Sequence, residues 1–214
     1  MCPTEPSQRL TQAERVAISD QKMLEAATEL VLEIGTEKTT LKEVGERAGY
    51  SRGLASARFG SKEELFIRMT EAHRALWFST LLRYTQGKSG LDAILCRIDA
   101  IEAILREDPE NVKVMYTLWF DALGHPSVLR NELLKYNTES RNALTRILLQ
   151  GIADGDFPED LDIQQLVTDF YSRVYGFIYQ WLITPDLVSI EKSMRTLKHF
   201  CRSVLSPNQA REPG

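Results

Sequence analysis

The sequence contains no apolar run long enough to cross a lipid bilayer, and it begins with polar residues rather than with a signal-peptide core. It has only three cysteines, Cys2, Cys96 and Cys201, which lie far apart and form no CxxC or Cys/His group. This spacing predicts neither a disulfide framework nor a zinc site. We therefore expect a cytoplasmic protein with no membrane partner, no metal and no cofactor.

Signatures of catalysis are also missing. The three histidines, His73, His125 and His199, are isolated in the sequence. The sequence shows no nucleophile elbow, no glycine-rich phosphate loop and no metal-ligand spacing. Carboxylates are plentiful, but they are spread along the chain like the surface charges of helices. The sequence therefore predicts a protein that is not an enzyme.

Helical periodicity runs through almost the whole chain, and no segment shows the alternation of a strand bounded by turns. Three S/T-x-x-E signatures, at Thr11, Thr40 and Ser61, predict helix starts, and Gly35 and Gly49 predict helix ends. Proline- and glycine-containing breaks divide the second half into helices predicted at residues 91–106, 111–123, 127–153, 162–183 and 188–205.

The predicted fold class is all-α, with an N-terminal three-helix unit containing a helix-turn-helix and a larger C-terminal helical domain. We expect a disordered arm over residues 1–10 and a DNA-binding domain with its connecting helix over residues 11–86. A regulatory and dimerisation domain is predicted over residues 87–206, and a disordered tail over residues 207–214.

Two short helices joined by a glycine-containing turn are predicted between Thr40 and Phe59, the arrangement of a helix-turn-helix. In that motif the first helix crosses the phosphate backbone and the second enters the major groove. The segment from Lys38 to Lys62 contains six basic residues and only two acidic ones, although the whole chain has a net charge of −4. Local positive charge favours a polyanion as partner, but short helix pairs also occur in helical proteins that do not bind DNA.

The run TTLKEVGERAGYSRGLASARFGSKEELF, Thr39 to Phe66, resembles the DNA-binding domain of the tetracycline-repressor (TetR) family of bacterial regulators. Weaker similarity continues in GIADGDF (151–157) and QWLITPD (180–186), so the resemblance covers nearly the whole chain. It implies a transcriptional regulator, by default a repressor, that binds palindromic double-stranded DNA as a homodimer. The resemblance also implies release from DNA by a small, apolar effector of unknown identity.

The resemblance places nine residues at the DNA: Thr40, Ser51, Arg52, Gly53, Leu54, Ala55, Ser56, Arg58 and Lys62. Arg52 is expected to reach a guanine edge or a phosphate, and Leu54 a thymine methyl group. Thr40 is expected to donate its hydroxyl to a phosphate, and Lys62 to bind phosphate beside a helix N-terminus. Gly53 would permit close approach, either of another helix or of DNA.

The third helix departs from the family pattern. Most members carry an aromatic residue, usually tyrosine, near position 56 or 57, where it clamps a phosphate. Here Ser56 and Ala57 are small, and Arg58 stands where histidine is common. The guanidinium of Arg58 could replace the lost phosphate contact. The alternative is that this helix-turn-helix binds a protein partner instead of DNA.

The last two predicted helices carry apolar residues at alternating spacings of four and three, which is typical of knobs-into-holes packing. These residues form the predicted dimer interface: Ile163, Val167, Phe170, Val174, Phe177, Trp181, Ile190, Met194, Leu197 and Cys201. A second apolar stripe on the first helix would also need burial. The four-helix dimer interface of the family would satisfy both stripes, and the alternative is that both pack within one subunit.

Aromatic residues concentrate in the middle helices. The candidate ligand pocket consists of Trp77, Tyr116, Trp119, Phe120, Asn137, Tyr171 and Tyr175. Such residues line apolar pockets, but they also fill hydrophobic cores. The helix from Ser127 is polar at its centre, and an inward-facing Asn137 or Ser140 would need a partner such as water or a ligand.

Overall fold

The computed structural model describes residues 10–124 and 126–206. Every regular element in these two ranges is an α-helix, which confirms the all-α prediction. The helices are α1 (Gln12–Lys38), α2 (Leu41–Arg47), α3 (Arg52–Phe59), α4 (Lys62–Thr85), α5 (Gly90–Glu107), α6 (Pro109–Ala122), α7 (Val128–Ala153), α8 (Ile163–Ile183) and α9 (Ile190–Leu205). Cys2, His125, the predicted tail and all of the predicted arm except Leu10 lie outside the described residues.

The predicted capping boxes of α1 and α2 are present. The Thr11 hydroxyl accepts from the Glu14 backbone N–H at 3.2 Å, and Glu14 accepts from the Thr11 backbone N–H at 2.7 Å. Thr40 and Glu43 repeat this exchange at the start of α2. Each box satisfies two donors that a helix start otherwise leaves without partners. These bonds lower the pKa of Glu14.

Gly35 interrupts α1 where the sequence predicted its end. Its φ of +80° lies in the left-handed region, which glycine adopts without a steric penalty. One further helical turn follows and ends at Lys38. The fully buried Thr39 then closes the break, because its backbone N–H and its hydroxyl both donate to the Gly35 carbonyl, at 3.3 and 2.8 Å.

The chain divides into two compact units, unit 1 up to Met69 and unit 2 from Thr70. This division falls within α4, the connecting helix that precedes the predicted start of the second domain's own helices at residue 87. A continuous helix can contribute to two cores, so a loop in the sequence does not mark the point where packing changes.

Unit 1 buries one face of each of its helices. Met23 and Ala27 of α1, Val44 of α2, Ala55 of α3 and Leu65 of α4 are completely buried.

In unit 2 the apolar face of α5 is buried, and α5 packs against α6, α7 and α9. Ile98 and Ile101 on that face are completely buried. The five helices of this unit predicted from residue 91 onward are found within about two residues of their expected ends. No helix within residues 10–124 and 126–206 is long and apolar enough to span a membrane.

Candidate DNA-binding surface and ligand site

A tight turn joins α2 to α3. Gly49, with φ of +79°, forms this turn, and the Tyr50 backbone N–H donates to the Gly45 carbonyl at 2.9 Å. A Cβ atom added at Gly45 would lie 3.0 Å from the Ser51 carbonyl, so the absence of a side chain lets α2 and α3 approach each other. Ser51 is the N-cap residue of α3, but its side chain makes no capping hydrogen bond.

The first residues of α3 form an exposed row. Ser51, Arg52, Gly53 and Ser56 are exposed, and Leu54 is partly buried. A Cβ atom at Gly53 would meet no atom within 4 Å, so close packing of another helix is not the reason for this glycine. Approach of DNA stays a prediction for Gly53.

The placement of Ala55 at the DNA surface is wrong. Ala55 is completely buried and lies 3.6 Å from the position of a Cβ on Gly45. Phe59, four residues later, is buried on the same face of α3 because residues at i and i+4 share a helix face. Ala55 therefore holds α3 against α2.

Arginines of this surface are paired with carboxylates. Arg52 contacts Glu46, and Arg58 Nε lies 3.5 Å from Asp20 Oδ1. Arg47 donates to both carboxylate oxygens of Glu33, at 2.8 and 2.7 Å, which lowers the pKa of Glu33 and raises that of Arg47. The count of charges from Lys38 to Lys62 missed this compensation, because several of the acidic partners lie on α1.

Two predicted phosphate ligands have partners within unit 1. The ammonium of Lys62 donates to the carbonyls of Thr36 and Glu37 at 3.2 and 3.0 Å, which leaves one of its three N–H groups for another acceptor. The Thr40 hydroxyl donates to Glu43 at 2.9 Å. The exposed Lys42 forms no ion pair within the described part of the chain, so its charge is available to a phosphate.

The predicted dimer residues are mostly core residues of a single chain. Six of them are at most 2% exposed and cannot contact a partner, namely Val167, Phe170, Val174, Met194, Leu197 and Cys201. Ile163, Phe177, Trp181 and Ile190 are partly buried and pack against the same core. The alternating pattern identified buried faces correctly, but these faces join α8 and α9 to the rest of unit 2. Burial also raises the pKa of the Cys201 thiol to about 12.

An aromatic cluster forms where the ligand pocket was predicted. Trp119 lies at its centre, with ring centroids 5.1 Å from Tyr116, 5.7 Å from Tyr136 and 5.3 Å from Tyr175. Trp77 packs edge-on against Tyr136 at 6.3 Å. These side chains enclose a cavity of about 10 Å³. Below, this cavity is called the inner chamber.

A second, half-open cavity of about 260 Å³ shares Trp119 with the inner chamber. We call it the outer cavity, and Arg130, Leu134 and Asn137 also line it. Asn137 donates to the Tyr175 hydroxyl at 3.5 Å, so it faces inward as expected.

Two predicted pocket residues line neither cavity. Phe120 is 53% exposed and packs on Tyr179 at a ring distance of 5.7 Å, so its placement in the pocket is wrong. It lies near the C-terminus of α6, on a face turned away from the core. Tyr171 is buried, and its hydroxyl donates to the Ser140 carbonyl at 2.6 Å.

The sequence analysis missed His73, Tyr136 and Arg97 as residues of this region. His73 and Tyr136 line the inner chamber, and burial lowers the pKa of His73 to about 4. Arg97 is 3% exposed. Arg97 lies three residues after Ile94 and four before Ile101. This helical spacing could have indicated that Arg97 lies on the buried face of α5.

Two family models match this chain. The model described as bacterial regulatory proteins, tetR family, matches residues 23–69. The model described as tetracyclin repressor-like, C-terminal domain, matches residues 114–197. The uncharacterized HTH-type transcriptional regulator YfiR of Bacillus subtilis (strain 168) is 30% identical over 199 residues, covering 88% of this chain and 92% of YfiR.

Solved structures share the fold. The SmeT–triclosan complex matches with a TM-score of 0.75 at 21% identity, covering 92% of this chain and 98% of SmeT. FadR from Bacillus subtilis in complex with stearoyl-CoA matches with a TM-score of 0.74 at 17% identity, covering 86% of this chain and 98% of FadR.

The matched models and relatives define a helix-turn-helix transcriptional regulator. The chain belongs to the TetR family of bacterial regulators, whose members bind DNA and are not enzymes.

Proposed function

We propose that this chain is a cytoplasmic repressor that binds a palindromic operator as a homodimer and is released by a small, largely apolar effector. The exposed row of α3 is the observation that carries the proposal, because Arg52, Gly53 and Ser56 face solvent directly after the α2–α3 turn. A recognition helix presents its N-terminal residues to base edges in this way. Arg52 is the residue best suited to a guanine edge or a phosphate, and Lys42 to a phosphate.

Support for a homodimer comes from the exposed side of α8. Ser172, Gly176, Tyr179 and Ile183 recur at spacings of four and three and face solvent fully or in part. Tyr179 and Ile183 are 46% and 64% exposed, and exposed apolar residues grouped in this way mark interaction surfaces. This row replaces the buried residues in our assignment of the dimer interface. A two-fold dimer would present two α3 helices to half-sites about one DNA turn, ~34 Å, apart or further.

Support for an effector comes from the inner chamber and the outer cavity. Of the ligands bound in two solved structures of the same fold, triclosan is largely apolar, and stearoyl-CoA joins a long apolar acyl chain to a polar, anionic coenzyme A group. His73 and Trp77 of the chamber lie on α4, which begins at Lys62 in unit 1. An effector that displaces these side chains would therefore act on a helix shared with the DNA-binding unit. Coupling of this kind is typically worth about 1–3 kcal/mol.

Selection of bound sequences from random duplex DNA tests the proposal, with wild type, Arg52→Ala, Lys42→Ala and, as a control, Lys22→Ala on α1. We expect a palindromic site. Arg52→Ala should relax one base position in each half-site, whereas Lys42→Ala should weaken all sequences alike and reduce the salt dependence. Lys22→Ala should resemble wild type. Failure to enrich any sequence at low salt would contradict the proposal.

A further inference from the structure

Arg97 is a buried cation without a carboxylate partner. Its guanidinium donates to the Ser140 carbonyl at 3.3 Å and to the Tyr171 hydroxyl at 2.6 Å, both of which are neutral groups. No Asp or Glu pairs with it within residues 10–124 and 126–206. An unpaired buried charge is costly to a folded protein. An anion bound near Arg97 would remove that cost.

Further buried polar atoms of unit 2 lack hydrogen-bond partners. Arg97 Nε and Ser140 Oγ are buried without a hydrogen bond, and so are Trp77 Nε1, Trp119 Nε1 and His73 Nδ1. Buried polar groups almost always have a partner, so five such atoms in one unit require an explanation. Arg97 Nε can only donate, so its missing partner is a hydrogen-bond acceptor.

These atoms belong to one region of unit 2. His73, Trp77 and Trp119 line the inner chamber together with Tyr175. The Tyr175 ring lies 5.5 Å from that of Tyr171, whose hydroxyl is bound to Arg97. The Tyr171–Tyr175 pair therefore connects the chamber to the guanidinium through direct contacts.

The aromatic walls of the inner chamber indicate what kind of group, besides an anion, the ligand would carry. Trp77, Tyr116, Trp119, Tyr136 and Tyr175 offer faces and edges on which a planar ring packs well. No carboxylate lines the inner chamber or the outer cavity, and the nearby Arg97 would repel a cation.

The inner chamber, at about 10 Å³, must expand to admit any ligand. Movement of the Trp119 side chain would join it to the outer cavity of about 260 Å³, because this indole forms part of both walls. The exposed Arg130 at the outer cavity would attract an approaching anion.

We propose that the effector site binds an aromatic carboxylate, with its ring in the inner chamber and its carboxylate accepting hydrogen bonds from Arg97 and Ser140. Binding requires the Tyr171–Tyr175 pair to move aside and Trp119 to open the path from the outer cavity. This inference rests on the proposed function, because it names the chemical class of the effector.

Isothermal titration calorimetry of the full chain with three probes of one shape tests the inference. The probes are 2-naphthoate, the neutral 2-naphthamide and the cationic 2-naphthylmethylammonium. We expect the acid to bind at least ~10-fold more tightly than the amide, since charged hydrogen bonds are the stronger ones. The cation should show no binding.

Variants assign the preference to named groups. Arg97→Met should abolish the preference for the acid, whereas Arg97→Lys should keep part of it. Arg106→Met, which removes an exposed arginine from the same helix, should bind like wild type.

Ser140→Ala should weaken binding of the acid about threefold or more without lowering the melting temperature, because the hydroxyl it removes has no partner. Arg97→Met should also keep or raise the melting temperature, since a buried uncompensated charge is replaced by an apolar chain of similar length.

Equal binding of acid and amide, tighter binding of the cation, or no binding of any probe would overturn the inference. So would an unchanged preference for the acid in Arg97→Met. Sequence-specific DNA binding, measured on the same protein, separates this result from the proposed function. Retained DNA binding without naphthoate binding overturns the effector class alone, and naphthoate binding without any DNA binding overturns the repressor proposal alone.

Discussion

The side chain of Arg52 on α3 contacts the carboxylate of Glu46 on α2. Both side chains are well exposed, at 73% and 41%, so the pair contributes little to folding stability. Its consequence is electrostatic: a phosphate or a guanine that binds Arg52 must compete with Glu46. The proposed DNA-binding surface therefore includes an acidic residue in contact with Arg52.

Glu46→Gln should increase DNA affinity several-fold at low salt, because it frees Arg52 and removes a negative charge near the phosphates. Fluorescence anisotropy with the selected operator measures the effect. Glu25→Gln makes the same change in charge on α1, where Glu25 accepts a hydrogen bond from Gln21. Equal gains in the two variants would show that net charge alone, and not the release of Arg52, is responsible.

Gly53→Ala should separate stability from DNA binding. A Cβ at this position meets nothing within 4 Å, and alanine is favoured over glycine in a helix by up to about 1 kcal/mol. We expect a higher melting temperature together with weaker operator binding, because the methyl group would lie on the exposed row of α3. Gly45→Ala is the matched comparison. Its Cβ would lie 3.0 Å from the Ser51 carbonyl, so it should lower the melting temperature. Unchanged operator affinity in Gly53→Ala would show that DNA does not approach this residue closely.

The sequence predicted the helices well because their limits are encoded locally. The capping box at Thr40 and Glu43 and the left-handed Gly49 depend on a few neighbouring residues, and all are present in the structure. Ser51, Arg52 and Ser56, which the resemblance assigned to the DNA, are exposed on α3, and their contact with DNA stays a prediction. A short motif fixes both its helix and the direction in which most of its side chains point.

The sequence was a weaker guide to contacts between residues that are far apart along the chain. The spacing of Val174 and Leu197 showed that they are buried, but a period cannot show whether the covering surface belongs to the same chain or to a second copy. The pairing of Arg58 with Asp20 joins positions far apart in sequence. Arg97 was overlooked because arginine usually lies at the surface.

Gly151→Ala should destabilise unit 2. A Cβ at this helical position would lie 2.2 Å from Phe157, which is 4% exposed and has little room to move. Overpacking of this kind typically costs about 1–3 kcal/mol, measurable as a lower midpoint of urea unfolding. Adding Phe157→Leu should recover part of the loss caused by Gly151→Ala. If the loss of unfolding free energy in the double variant equals the sum of the losses in the two single variants, the clash is not the cause.

His73 should make folding stability depend on pH. Burial lowers its pKa from 6.5 to about 4, so below pH 6.5 the unfolded chain binds a proton that the folded chain does not. Stability should therefore fall as the pH falls from about 6.5 to about 4, by on the order of 2 kcal/mol. Unfolding midpoints of wild type and His73→Asn across this window isolate the contribution of His73 from other titrating groups. Parallel curves for the two proteins would contradict the prediction.

Gly176→Arg should prevent dimerisation without unfolding the chain. A Cβ at Gly176 meets nothing within 4 Å in the single chain, so a long side chain can extend into solvent. Ser172 and Tyr179, which flank Gly176 on the same face of α8, would approach a partner copy closely only while position 176 is small. Sedimentation velocity should show a monomer for Gly176→Arg and a dimer for both wild type and Asn131→Arg, an exposed change on α7. The monomer should bind a half-site weakly and lose its preference for palindromic DNA. A dimeric Gly176→Arg protein would show that the interface lies on another face, and the proposed row on α8 would have to be abandoned.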